Sequence, residues 1–365
     1  MGQADPLGRR ILRQVPFVLF TLISSLFLLE IGARFLLPEW QPVSGDRNFW
    51  QYDETLGWKH VPNAAATFDH LDFSIGVQTN SHGHRDDEVA FERQDGQRRA
   101  LLLGDSFGWG FGVEKDEIFS ERIEARQDDW EIINASVSGY GTDQEYLYYL
   151  TEGNRFDSDL VILLYYENDI DNAAHPVQYW HNKPVFQRES GEWVLNNVPV
   201  PPRTTAQAVA NWVANHTWFF RGVSHAGAAW LASVRTDGEA DIPSEMVNSE
   251  LSPNFHSGVR LSEGEGRILA ILERLNAEVQ ADGAQLVIVA APGKSRKLFE
   301  HSDFQSLKIP YLSLTGIFQD SDEPAFFQHD AHWNPNGHAI VADAVESFLV
   351  QEGFIAAPGS EDALP

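Results

Sequence analysis

The apolar positions of this chain follow two patterns. Near the N-terminus, residues 15–29 (VPFVLFTLISSLFLL) form one run without charge. Farther along, short apolar runs ending at glycine or polar residues alternate with stretches of helical periodicity. Residues 99–104 (RALLLG), 130–135 (WEIINA), 159–166 (DLVILLYY), 285–291 (QLVIVAA) and 310–314 read as strands. The third is apolar almost throughout, the pattern of a parallel strand buried on both faces. Residues 114–126, 142–152, 264–282 and 336–350 read as helices. This alternation predicts an α/β fold, a three-layer α/β/α sandwich around a mostly parallel five-stranded sheet.

The remaining segments complete the division of the chain. Residues 39–70 are rich in Trp, Pro and Asn and read as irregular, whereas residues 73–79 alternate as a strand before a turn at 80–83. An insertion or cap at about 172–255 separates the third and fourth strands. Within it, 183–200 resembles a hairpin and 205–234 reads as helical, with Trp212, Trp218, Phe219, Phe220 and Trp230 taken as packing residues. The expected organisation is a cytoplasmic segment 1–14, a membrane anchor 15–37, an extension with one strand 38–97, the α/β domain 98–355 and a disordered tail 356–365.

A membrane-spanning helix needs roughly 20 mostly apolar residues. Residues 11–37 suffice if Arg13 snorkels at one end and Glu30 pairs with Arg34, one turn on, near the other. Arg9, Arg10 and Arg13 against the single Asp5 favour the N-terminus inside and the remaining body exported, periplasmic or extracellular. A cleaved signal peptide is the main rival, with a poor small-residue cleavage site around 31–33. A buried or interfacial helix is the third reading.

Charge and composition narrow the chemistry. The chain has 26 Lys+Arg against 53 Asp+Glu, a formal charge of −27, and no cysteine. This acidity argues against a nucleic-acid partner and against broad adhesion to anionic lipid. The missing cysteine excludes disulfides, a thiolate nucleophile and Cys-ligated metal.

Candidate chemistry stands at the strand ends, where open α/β sheets bind their ligands. Residues 101–107 (LLLGDSF) place Asp105 and Ser106 at a strand-to-helix crossing, suited to a nucleophile or to a simple helix cap. Asn134-Ala135-Ser136-Val137-Ser138-Gly139-Tyr140-Gly141 follows the second strand, where glycine lets a backbone N–H approach a ligand or merely makes a turn. Tyr165-Tyr166-Glu167-Asn168-Asp169 ends the third, and Asn168 could offer its amide to an oxyanion or form an Asx turn. Near the C-terminus, His329-Asp330-Ala331-His332-Trp333-Asn334-Pro335-Asn336-Gly337-His338 pairs a carboxylate with an imidazole two residues on. Three His and an Asp make metal binding a rival, although no His pair has helical i,i+4 spacing.

In this order, the four segments resemble the Ser, Gly, Asn and His blocks of the SGNH/GDSL hydrolase superfamily, over about residues 98–350. The N-terminal segment and Thr79-Asn80-Ser81-His82-Gly83-His84-Arg85 also resemble a bacterial membrane-anchored branch of it. The resemblance implies a flavodoxin-like sheet and a serine esterase without metal or organic cofactor. In it Ser106 is the nucleophile, His332 the general base and Asp330 its orienting acid. The backbone N–H groups of Ser106 and Gly139 and the side chain of Asn168 form the oxyanion hole. Two positions depart from the family pattern. Glu167 stands where glycine is usual and should point away from the oxyanion, and His329 occupies the usual Asp position, so Asp330 must act at spacing two. Asp105, His329, His338 and Arg85 are read as structural; Trp109 and Phe111 either wall the pocket or pack.

Three functions are compatible with this reading. One is an exported, membrane-anchored hydrolase of acyl esters, O-acetyl groups on carbohydrate among them. The second is an O-acyltransferase acetylating an envelope polysaccharide, which would need a membrane partner to deliver the acyl group. The third is a non-catalytic polysaccharide-binding protein.

Overall fold

The computed structural model describes residues 6–37, 49–223, 261–293, 296–319, 321 and 323–356. A long helix, α1 (Pro6–Leu36), comes first. Two hairpins follow, β1 (Trp50–Asp53) with β2 (Gly57–His60) and β3 (Ala65–Asp69) with β4 (Ser74–Gln78). Next come β5 (Arg98–Leu103), α2 (Ser106–Trp109), α3 (Phe119–Glu124), β6 (Trp130–Asn134), α4 (Thr142–Thr151), β7 (Leu160–Tyr165) and α5 (Asp169–Asn172). The insertion carries hairpins β8 (Val177–Gln178) with β9 (His181–Asn182) and β10 (Val185–Glu189) with β11 (Glu192–Asn196), then α6 (Thr205–His216) and a helical turn α7 over 218–223. The chain closes with α8 (Glu263–Ala281), β12 (Gln285–Ala290), α9 (Arg296–Phe299), α10 (Ser302–Leu307), β13 (Tyr311–Ser313) and α11 (Pro335–Gln351).

These elements fall into two units. Residues 1–43 with 209–249 form one, and residues 44–208 with 250–365 the other. In the first, α1 holds a stretch, Gln14–Leu36, of mean hydropathy 2.1, long and apolar enough to cross a membrane. The second is built on a sheet of order β13-β12-β7-β5-β6, with every neighbouring pair parallel. This is the flavodoxin-like order, whose switch point lies between β5 and β7.

Period-two alternation explains the layers. In β7, Val161, Leu163 and Tyr165 join one core, and Leu160, Ile162 and Leu164 the other. The first core is covered by α4 and by the Ile268, Ile271, Leu272, Leu275 and Val279 stripe of α8. The second is covered by α3 and by Val341, Ala342, Val345 and Leu349 of α11. Each such aliphatic side chain contributes about 1.5–3 kcal/mol on burial. Helix α8 starts at a capping box: Ser262 Oγ accepts the Glu265 N–H, and Glu265 Oε2 accepts the Ser262 N–H.

Three expectations change. Residues 39–70 are not irregular throughout, since 50–69 contribute three strands; their four- and five-residue lengths leave too little alternation to read. The helix expected over 114–126 is split: Lys115–Glu117 is a 3-10 turn and Ile118 is extended before α3. Ile118 leaves the helix to bury its side chain against Gly110. The sequence gives no sign of the β8–β9 hairpin, because its tip, Tyr179-Trp180, carries no turn-forming residue although both have positive φ (47° and 63°). The hairpin expected at 183–200 is present, turning at Ser190-Gly191. Beyond residue 223, the helix expected over 205–234, Trp230 and the rest of the insertion to 255 lie outside the described residues, as does the tail from 357.

Candidate active site

Strand β5 ends at Leu103, and α2 begins three residues later at Ser106. Asp105 caps that turn: its Oδ1 accepts the Phe107 N–H at 2.9 Å. Burial pushes the Asp105 carboxyl pKa up, while the Phe107 N–H, the charge on His332 and the Asn168 amide pull it down. The turn is pressed onto the segment after β6. A Cβ on Gly108 would stand 2.3 Å from Ser136 Oγ, so only glycine fits there. Asn134 fastens the same contact, donating its Nδ2–H to the Gly108 carbonyl at 2.9 Å.

The segments after β6 and β7 flank Ser106, because β5 lies between those strands. Gly139 has φ +84°, left-handed backbone that a side chain resists. Asn168 precedes α5 without capping it, so its amide is not spent on an Asx turn. Its Oδ1 is buried and has no hydrogen-bond partner among the described residues. Glu167 turns its carboxylate against Gly293, in the loop after β12.

The imidazole arrives from the loop before α11. Asn334 caps that helix, accepting the Gly337 N–H at 2.9 Å, and Pro335 opens it. His332 Nε2 lies 2.7 Å from Ser106 Oγ, and His332 Nδ1 lies 2.5 Å from Asp330 Oδ1. The same oxygen accepts the His332 backbone N–H at 2.9 Å, which makes a two-residue spacing workable. Burial pushes the Asp330 pKa up, but the bonds to His332 and its charge outweigh burial and hold it below the usual value. The Phe111 ring stacks on His332 at 4.3 Å, and Phe107 lies 4.8 Å from it. Trp109 is fully buried and stacks on Phe49, so it packs and does not wall the site.

The three His between 329 and 338 have separate partners. His332 faces Ser106. His329 bonds Asp72, whose two oxygens meet its backbone N–H at 2.9 Å and its Nδ1 at 2.7 Å. His338 Nδ1 accepts the Phe119 N–H at 3.3 Å, and burial holds its pKa at about 3, which leaves it neutral. Arg85 is also structural. Its guanidinium donates to the Gly110 carbonyl at 2.6 Å and the Val113 carbonyl at 2.5 Å, tying down the loop after α2.

Sequence reasoning missed three contributors. Asp72, in the β3–β4 connection, fixes the residue next to Asp330. Tyr179, at the β8–β9 tip, lies over Gly139; a Cβ there would stand 2.9 Å from its ring. Lys183 fastens that hairpin: its fully buried Nζ bonds both oxygens of Asp143 at 2.8 and 2.7 Å and the Asn172 carbonyl at 2.8 Å. Breaking such a buried pair costs about 3–5 kcal/mol. No local pattern marks these residues.

No family model and no curated protein matches the chain. Solved structures do. TesA is 10% identical, with 69% of this chain and 98% of that chain covered and a TM-score of 0.39. The psychrotrophic esterase EstA from Pseudoalteromonas sp. is 13% identical, with 70% and 98% covered and a TM-score of 0.38. The acetyl xylan esterase AlAXEase is 11% identical, with 68% and 98% covered and a TM-score of 0.37. In strand order, in block order and in the Ser106–His332–Asp330 hydrogen-bonded chain, the protein resembles the SGNH/GDSL hydrolases.

Proposed function

We propose that the protein is a serine ester hydrolase of SGNH/GDSL type, held in a membrane by α1 with its catalytic body exported, and that it removes O-acyl groups, acetyl foremost, from carbohydrate. The observation that carries the hydrolytic reading is the continuous hydrogen-bonded chain Ser106 Oγ–His332–Asp330, at 2.7 and 2.5 Å. The exposed rings of Tyr179 and Trp180, at a strained hairpin tip beside Gly139, support a sugar ring as part of the substrate. Positive φ at non-glycine residues persists where surrounding structure imposes it, and such strain gathers at functional sites.

In this mechanism Ser106 Oγ attacks the ester carbonyl as His332 Nε2 takes its proton. Asp330 holds the imidazole tautomer and stabilises the imidazolium. The Ser106 and Gly139 N–H groups and an Asn168 amide N–H receive the oxyanion, each donor contributing on the order of 3 kcal/mol. When the C–O bond to the alcohol breaks, His332 returns the proton to that alcohol. Water then attacks the acyl-Ser106, giving its proton to His332, and the free acid leaves as Ser106 is reprotonated.

The test uses the full chain in detergent with p-nitrophenyl acetate, with and without an acetyl-accepting oligosaccharide, beside Ser106→Ala. Turnover by the wild type alone is expected. Equal turnover by both proteins would sink the serine mechanism. Acetylated oligosaccharide formed only by the wild type would convert the assignment to acyl transfer.

A further inference from the structure

Besides α1, the N-terminal unit contains residues 209–223 among those described. Along this stretch Val209 (56% exposed), Trp212 (59%), Phe220 (42%) and Val223 (47%) stand out from the surface. With His216, whose ring stacks on Trp212 at 4.8 Å, they recur three or four residues apart along the two consecutive helical segments α6 and α7. The opposite side carries Asn211 and Asn215, bonded to each other at 3.0 Å.

This stretch is joined to α1 by one carboxylate. Glu30 accepts the backbone N–H groups of Trp218 and Phe219, at 3.2 and 3.1 Å, where α7 begins. It also bonds Arg34 at 2.9 Å. Glu30 lies inside the apolar span Gln14–Leu36, about 9 Å along the axis from its end. A carboxylate at that depth is costly unless its oxygens are hydrogen-bonded, and an unpaired helix start near lipid is costly as well. Each satisfies the other. The joint therefore sets the aromatic stretch at the end of the span, where Trp and other aromatic rings favour the boundary between headgroups and acyl chains.

We propose that residues 209–223 lie flat in the headgroup region of the membrane that α1 enters, with the stripe Val209–Trp212–Phe220–Val223 turned into lipid and Glu30 as the fixed joint. The occupant of this apolar face is the bilayer itself, by continuity with the exposed apolar surface of α1. The inference rests on α1 being a retained anchor, and it is independent of the chemistry at Ser106.

The absence of native cysteine makes spin labelling clean. Full-length Val209→Cys, Phe220→Cys, Asn211→Cys and Leu22→Cys would be labelled in phosphatidylethanolamine–phosphatidylglycerol vesicles. Collision with dissolved oxygen would be compared with collision with a water-soluble nickel chelate. The labels at 22, 209 and 220 should favour oxygen several-fold over the label at 211. Lipid exposure at 22 with water exposure at 209 and 220 would overturn the inference and leave the anchor standing. Shielding from both reagents at 209 and 220 would mean a protein partner and would overturn it too. A water-exposed label at 22, or a purified mass lacking α1, would remove the anchor and the inference with it. Throughout, p-nitrophenyl acetate turnover reports separately on the esterase reading. As a second measurement, Glu30→Leu should increase the mobility of the 220 label; unchanged mobility would overturn the joint.

Discussion

Ser106 and His332 meet at 2.7 Å, yet they are held in different ways. Ser106 stands just beyond a largely buried interior strand, on a turn pressed against Ser136. His332 stands on a loop. That loop closes on itself through the Phe326–Trp333 bridge, is anchored in the core by Trp333, and is tied to a distant hairpin by Asp72. The position of Ser106 is thus a property of the sheet, whereas the position of His332 depends on side chains from elsewhere. Damage near Ser106 should register mainly as lost stability, and damage around the His loop mainly as lost rate.

The largest expected effect removes the comparison altogether. Ser106→Ala and His332→Ala should each lower kcat by at least about 10⁴-fold, and the double variant should be no worse than either, because the two act as one unit. A multiplicative loss in steady-state kinetics would separate their roles. Next, Gly108→Ala should cost about 1–3 kcal/mol of folding stability in urea melts, since its Cβ would meet Ser136 Oγ. Stability unchanged alongside a collapsed rate would reverse the contrast.

On the His side, α11 is locked to α3 through neutral His338. Burial, aided by the charges of Arg85, Arg122 and His332, holds its pKa at about 3 against an ordinary 6.5. The unfolded chain therefore takes up the proton first. The stability associated with the neutral ring is whole above pH about 6.5 and is lost as pH falls toward about 3, by about 2 kcal/mol at about pH 5. His338→Gln should lose correspondingly less between pH 7 and 5 in the same melts; an identical loss would refute this account. The smallest effect sharpens the contrast most. Asp72→Asn should lower kcat about tenfold, with KM and melting temperature little changed, because a slightly misplaced base is costly while the fold is intact. A loss confined to KM would place Asp72 in substrate binding instead.

Legibility followed the same division. The five sheet strands were readable because burial on both faces leaves an apolar run with polar ends, as in Leu160–Tyr165. Gly104-Asp105-Ser106, Gly139, Asn168 and Asp330/His332 lie in segments that follow strands or precede a helix, but each segment alone also reads as a cap or a turn; only their order, which resembles the SGNH/GDSL blocks, singles them out. The structure gathers Ser106, His332 and Asp330 into one hydrogen-bonded chain and sets the Gly139 and Asn168 segments beyond the ends of the flanking strands. Asp72 was hidden because its partner His329 is 257 residues away, and nothing in the local pattern encodes a contact at that range. Tyr179 was hidden because an aromatic pair at a positive-φ hairpin tip contradicts local preference and is tolerated only where packing, here around the Lys183–Asp143 pair, holds it.

By itself, then, the amino-acid order determined the parallel α/β sheet and the apolar N-terminal helix, because periodicity is a local property, and its block order carried the resemblance that singles out Ser106, His332 and Asp330. Tertiary structure alone decided which oxygen orients His332, which hairpin steadies its loop and which ring lies over Gly139. Those contacts join segments far apart in the chain, and their energies exist only once the sheet has brought the segments together.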